Sequence, residues 1–286
     1  MKKYRIIGAG LDLGVHINGA SLGPKSVFDC LDYDNKILIE QNSSYIKETS
    51  KDIKNKNEKE LRKFLEELSI VYKETIDNNE FPILIGGDHS ASIASALSSN
   101  QNQGPLGVIW FDAHTDYHIH SSTISGNLHG TPLAAINGKD ILWTDVQKNN
   151  FVNEENTVIF GARSIDEKEY NNLDSSKVTL ITPEEISAIG FENSLTKAFE
   201  IANKNTSGIH ISLDLDFLDP SIAPGVSTPA NDGCDINGFN IVLKSIIENM
   251  NCIKSFDIME FNPVFDKNNQ TLNIILDILY KLFNIK

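Results

Sequence analysis

Four short apolar runs in this chain each stop at a group of His, Asp or Glu residues. Residues 81–85 lead into Gly86-Gly87-Asp88-His89-Ser90, and residues 107–111 into Asp112-Ala113-His114-Thr115-Asp116. Residues 209–213 lead into Asp214-Leu215-Asp216, and residues 252–259 into Glu260-Phe261-Asn262-Pro263. Continuous apolar runs of this length, bounded by polar or glycine residues, read as strands buried on both faces. Such strands belong to parallel sheets covered by helices. In open α/β sheets, ligands bind beyond the carboxyl ends of the strands. The same pattern therefore constrains the fold and says where its chemistry should sit.

The remaining segments fit this frame. Residues 4–7, 36–40, 157–161 and 178–181 also read as strands. Residues 58–78 carry Leu61, Phe64, Leu65, Leu68, Val71 and Tyr72 at amphipathic helical spacing. Helices are also expected over residues 25–31, 91–97, 131–137, 235–249 and 272–283, and from the cap and first turn Thr182-Pro183-Glu184-Glu185. Residues 44–57 read as an exposed loop, and residues 117–127 and 218–233 as polar and Pro/Gly-rich loops. No repeat, linker or composition break interrupts the alternation, so residues 1–286 read as one α/β domain on a mostly parallel sheet.

Charge and length narrow the partners. With 286 residues, 40% of them hydrophobic, the chain can bury a sizeable core. Its 39 acidic residues outnumber 25 basic ones, a formal net charge of −14. Such a surface disfavours nucleic acid and anionic membranes and favours small cations or metal ions. Met1-Lys2-Lys3-Tyr4-Arg5 is followed only by a short apolar run broken at Gly8 and Gly10, and no apolar run approaches a membrane span. Cys30, Cys234 and Cys252 are too few and too scattered for a disulfide scaffold or a cysteine zinc site. The expected location is cytoplasmic.

In an extended segment, Asp112, His114 and Asp116 leave the same face, as do Asp214 and Asp216. With His89 they make six candidate metal ligands. Taken singly, the motifs have structural readings: a turn with a capping residue at Gly86-Gly87-Asp88-His89, a helix cap at Asp214. Together, four carboxylates at the buried end of a sheet would repel one another and lose hydration. Two divalent cations remove that problem, and the set suits a two-metal hydrolytic centre. Its oxygen-rich character favours manganese over zinc, without excluding iron, cobalt or nickel. Asp88 neighbours His89 and should point the other way, in a structural role. His129, on the loop that follows residues 107–111 and their Asp-His-Asp motif, is of a residue type that ordinarily titrates near neutrality and suits proton transfer, or else pairs with a backbone carbonyl. Glu260 is placed to hold a cationic group, or is a surface strand-end acid.

These motifs, together with Ser125-Gly126-Asn127-Leu128-His129-Gly130, Leu218-Asp219-Pro220-Ser221 and an early segment ending Leu22-Gly23-Pro24, resemble those of the ureohydrolases, the family of arginase, agmatinase and their relatives. The resemblance spans nearly the whole chain. It implies a three-layer α/β/α fold on an eight-stranded parallel sheet and oligomers, commonly trimers or hexamers. It also implies a site for two Mn2+ ions formed by His89, Asp112, His114, Asp116, Asp214 and Asp216, with Asp112 and Asp214 bridging. The implied reaction is hydrolysis of a guanidinium carbon by a water acidified between the metals. Asp116 would orient that water, His129 would give a proton to the departing amine, and Glu260, with Thr228 close by, would hold the guanidinium.

The loop bearing Ser125 and Asn127 resembles the arginase form, in which these residues help bind an α-carboxylate. Asp166 matches the acid that helps hold the α-amino group. The expected reaction is therefore L-arginine to urea and ornithine. His118 replaces an asparagine that contacts the α-carboxylate in arginases and is counted among the substrate-binding candidates. Ser227 stands where a glycine is usual, Asn231-Asp232-Gly233-Cys234 departs from a Gly-Gly pattern, and His16 and Phe28 occupy two early arginine positions. His118 and His120 raise either a third metal site or two polar loop histidines. The alternatives are an agmatinase, a guanidino-acid hydrolase or a formimidoylglutamase using the same centre, and a metal-binding pseudoenzyme.

Overall fold

The computed structural model describes residues 2–50, 56–140 and 150–286. Eight strands follow in chain order: β1 (Lys3–Gly10), β2 (Lys36–Glu40), β3 (Glu80–Gly86), β4 (Leu106–Phe111), β5 (Thr157–Phe160), β6 (Thr179–Ile181), β7 (Gly208–Asp214) and β8 (Ile253–Met259). They form one sheet in the order β2-β1-β3-β8-β7-β4-β5-β6. Every ladder between these strands is parallel, so the sheet is parallel throughout rather than mostly so.

Strand geometry sends successive side chains to opposite faces, and two cores result. Ile83, Ile85, Ile109 and Phe111 pack on one face beneath α1 (Gly23–Phe28), α6 (Pro183–Ile189), α7 (Phe191–Ala202), α8 (Ile236–Glu248) and α9 (Gln270–Phe283). Leu84, Val108 and Trp110 pack on the other beneath α2 (Glu58–Asp77), α3 (Ser92–Gln103), α4 (Pro132–Ile136) and α5 (Glu167–Asp174). Helices on both faces complete the three layers. In α2 the buried side chains are Leu61, Phe64, Leu65, Leu68, Val71, Tyr72 and Thr75, the stripe its spacing predicts.

Two helices lie outside the expected set: α5, which has no apolar stripe, and α7, whose buried Leu195, Ala198, Phe199 and Ala202 do keep helical spacing. In α5 the only buried apolar side chain is Leu173, so there is no stripe to detect; the helix is announced by its cap, Asp166, which accepts the N–H groups of Lys168 and Glu169. Helix α7 starts directly after α6, the break being Gly190 at φ 85°. The 44–57 segment is not uniformly exposed: Lys56 and Asn57 are buried, and Asn57 donates to the Leu13 carbonyl. Residues 51–55 of that expected loop lie outside the described residues. No described helix is long and apolar enough to cross a membrane.

The turn after β3 is held by backbone at close quarters. The N–H of Gly87 donates to the Ala9 carbonyl, its own carbonyl accepts the N–H of Glu260, and a Cβ at this position would overlap the carbonyl oxygen of Leu11. Backbone on three sides cannot yield as a flexible side chain would. Gly87→Ala is therefore expected to destabilise the fold by about 3 kcal/mol, the upper end for overpacking. Denaturant unfolding monitored by circular dichroism checks this, and a change below about 0.5 kcal/mol would contradict it.

Candidate metal centre

The order β3-β8-β7-β4 places the four motif-bearing strands side by side. Their carboxyl ends deliver His89, Glu260, Asp214 with Asp216, and Asp112 with His114 and Asp116 to one place. His89 Nδ1 lies 3.1 Å from Asp112 Oδ2, 3.3 Å from Asp116 Oδ2 and 2.9 Å from Asp214 Oδ2. His114 Nδ1 lies 3.0 Å from Asp216 Oδ2 and 3.5 Å from Asp112 Oδ1. Three groups could hold a metal among the described residues: His89/Asp112/Asp116 and Asp112/His114/Asp216, which share Asp112, and a separate less buried one, His118/Asp166/Glu169.

Local chain geometry holds these groups. Trp110 lies two residues before Asp112 and on the same face; its indole N–H donates to Asp112 Oδ2 at 2.9 Å, and its ring stacks on His89 at 4.0 Å. The His114 N–H donates to Asp112 Oδ1 at 2.6 Å, and the Asp216 N–H to Asp214 Oδ1 at 2.7 Å. Asp116 and Glu260 adopt left-handed backbone, φ 49° and 66°. Such strain in non-glycine residues concentrates at functional sites. Asp88 is turned into the scaffold, accepting the N–H groups of Gly14 and Ser90.

The charge balance of this cluster calls for cations. Burial, then repulsion by neighbouring carboxylates, pushes Asp116, Asp214 and Asp216 above the usual carboxylate range. Asp112 is buried too, but hydrogen bonds and attraction from His114 and His89 outweigh burial and hold it low. Burial opposes charge on the two histidines, yet the surrounding carboxylates raise both. Glu260 Oε2 is buried without a hydrogen-bond partner among the described residues, and Asp216 Oδ2 has only His114 Nδ1 beside it, 3.0 Å away and out of line. Four carboxylates and two imidazoles, buried and close together, are a donor set that fits divalent metal ions.

A cavity of about 200 Å³ opens onto His114, Asp116, Asp214 and Asp216 and is also bounded by His118, His129, Asp166, Glu169 and Thr228. His129 Nδ1 lies 3.0 Å from Glu260 Oε1, which also accepts the His89 N–H at 2.8 Å. Burial disfavours charge on His129, but Glu260 beside it prevails and raises its pKa; in turn burial raises Glu260 and His129 more than offsets this.

The candidate substrate residues separate. Asp166, Thr228 and His118 bound the cavity, and Glu260 is buried beside His129. Ser125 and Asn127 stand away from its wall: Ser125 is exposed, and the Asn127 amide reaches His16 Nδ1 at 2.9 Å. His118 Nε2 meets Asp166 Oδ2 at 2.7 Å, whereas His120 Nδ1 meets Asp140 Oδ1 at 2.8 Å. The two loop histidines thus serve different acids. Sequence reading passes over Trp110 and Glu169. Trp110 is findable from its same-face spacing to Asp112, and Glu169 from its place three residues after a capping Asp.

The sequence profile of the Arginase family matches residues 2–284. Arginase from Bacillus caldovelox is 30% identical over 100% of this chain and 99% of its own length, and its crystal structure superposes with a TM-score of 0.89. Arginase from Bacillus subtilis (strain 168) is 31% identical over 100% of this chain and 99% of its own. Entamoeba histolytica arginase, in a structure with L-ornithine, is 25% identical over the full length of both chains, with a TM-score of 0.88. With its strand-end ligand groups and a match along its whole length, this chain belongs to the arginase family.

Proposed function

We propose that this arginase-family hydrolase cleaves the guanidinium group of L-arginine to urea and ornithine with two divalent cations, Mn2+ foremost. The observation that carries the reading is Asp112, shared by two ligand groups whose other members His114, Asp116 and Asp216 line a cavity that also meets His129. His89 and Asp116 would hold one ion, His114 and Asp216 the other, with Asp112 and Asp214 between them. When bound, the ions offset the carboxylate charge and supply a water-derived nucleophile near neutral pH.

The chain's own groups account for the rest. Glu260 is steadied through Oε1, which leaves the unpartnered Oε2 to accept a guanidinium N–H and align its carbon. Thr228 bounds the same cavity. Asp116, in strained backbone, orients the attacking oxygen. His129 gives a proton to the departing amine, since an amine leaves poorly as an anion. Asp166, with Glu169 near it, presents negative charge to an α-ammonium group. The Entamoeba histolytica structure with L-ornithine supports an amino-acid substrate. Assembly into trimers or hexamers, in the cytoplasm, completes the proposal.

One observation favours a second reading. His118 already engages one oxygen of Asp166, which suits a substrate lacking the α-amino group, such as agmatine. Urea release from L-arginine, agmatine and guanidinobutyrate, after loading with manganese, nickel or zinc, decides between them. The fastest turnover is expected with L-arginine and manganese; a higher kcat/KM for agmatine would move the assignment to agmatinase.

A further inference from the structure

Beneath the ligand cluster lies a buried polar chain that the proposed reaction does not use. Asp257, on β8, stands opposite Ser212 of β7 in the sheet register. Its Oδ1 accepts the Tyr72 hydroxyl at 3.2 Å, and its Oδ2 accepts the hydroxyls of Ser92, at 2.9 Å, and Ser95. Ser92 Oγ lies 3.3 Å from Ser212 Oγ, which lies 2.8 Å from His89 Nε2. His89, Ser92, Ser212 and Asp257 are all between 0 and 1% exposed, so water does not interrupt the series.

The direction of each hydrogen bond follows from the end of the series. Three hydroxyls converge on Asp257, and each donates its hydrogen to a carboxylate oxygen. Tyr72 stays a neutral donor, because burial and then Asp257 itself push its phenol well above the usual range. The hydrogen of Ser92 is thereby committed to Asp257, so Ser92 Oγ accepts from Ser212. The hydrogen of Ser212 is then committed as well, so its oxygen accepts from His89 Nε2–H. The lone pair of His89 is left on Nδ1, the atom facing Asp112, Asp116 and Asp214. Without the carboxylate, both hydroxyls could reverse, and the imidazole hydrogen could sit on Nδ1 and block a metal. His210 Nε2 is 3.2 Å from Asp257 Oδ2 but out of line for a hydrogen bond; its Nδ1 engages Ser255 Oγ at 2.7 Å. His210 is a neighbour of the series and not a link in it.

We infer that Asp257 is a positioning residue for one of the two metals, fixing the tautomer of His89 through Ser92 and Ser212. The inference rests on the two-metal reading above. Ser92 and Ser95 provide the test, because both donate to the same oxygen of Asp257 and only Ser92 lies in the series. Stepwise Mn2+ affinity is measured by chelator competition on the full chain, with electron paramagnetic resonance at two equivalents of manganese. Ser92→Ala is expected to weaken one of the two sites by ~10–100-fold, the usual effect of removing a group that orients a metal-bound histidine. Its spectrum should change from that of a coupled pair to that of an isolated ion. Ser95→Ala is expected to hold both metals within about 3-fold of wild type, below that ~10–100-fold range. Ser92→Cys, which keeps the shape with a weaker donor, carries the same expectation should Ser92→Ala not fold. Equal losses in the Ser92 and Ser95 variants, losses at both sites alike, or unchanged affinity on altering Ser92 would overturn the inference. A wild-type protein that never binds two metals would instead overturn the two-metal reading.

Discussion

Asp112→Ala is expected to leave the protein unable to retain two metals and to lower turnover by more than ~100-fold, beyond what the loss of a group merely supporting a ligand costs. The expectation follows from its double membership. Asp112 Oδ2 faces His89 and Oδ1 faces His114, so removing it takes an anionic ligand from both groups at once. Among the four ligand-group carboxylates, Asp112 is the one held below the usual range, because His114 and His89 outweigh its burial. Asp112→Asn, which keeps an acceptor for the Trp110 indole or the His114 N–H, is expected to fold like wild type and still fail to hold two metals. Metal content by mass spectrometry beside a thermal melt separates loss of ligand from loss of fold. Two metals per chain in either variant would refute the bridging role.

His129→Asn comes next in size. Turnover should fall by ~100-fold or more, the range for a positioned acid–base group, with metal content and KM little changed. Asparagine can still donate to Glu260 Oε1, so the carboxylate keeps its hydrogen bond and the variant isolates the proton itself. A higher KM at unchanged kcat would show that His129 serves only to steady Glu260. The pH profile adds a signed check. Burial lowers the His129 pKa, but Glu260 outweighs it and holds the imidazole above its ordinary value, so the acid form persists to higher pH than for a free histidine. The wild-type rate should fall as pH rises through that raised pKa, and the variant should lose this alkaline limb.

How far the site was legible varies from residue to residue. Asp112, His114 and Asp116 follow one strand, and their common face is a property of extended backbone, readable without a fold. His118, on the same loop, was visible as a departure, yet its partner Asp166 caps a helix that apolar spacing does not reveal. Ser125 and Asn127 stand out in the sequence by their motif, but the loop path carries Asn127 to His16 and leaves both off the cavity wall. Trp110 reads as a core residue from its neighbours; that it also binds Asp112 depends on one rotamer in the packed face. The support of Ser92 and Asp257 for His89 joins residues 165 positions apart and has no local signature.

By itself, the sequence determined the eight strands, most of the helices, and the candidate ligands that end four of those strands. These are local quantities, set by apolar spacing over a few residues and by the two-residue repeat of extended chain. Only the tertiary structure decided that β8, from the far end of the chain, lies between β3 and β7, and that β7 lies beside β4. That order comes from how the helices pack across both faces of the sheet, a sum over long-range contacts that no window of residues contains. It brings His89, Glu260, Asp214, Asp216 and Asp112 within reach of one another, and it turns four separate strand ends into one centre.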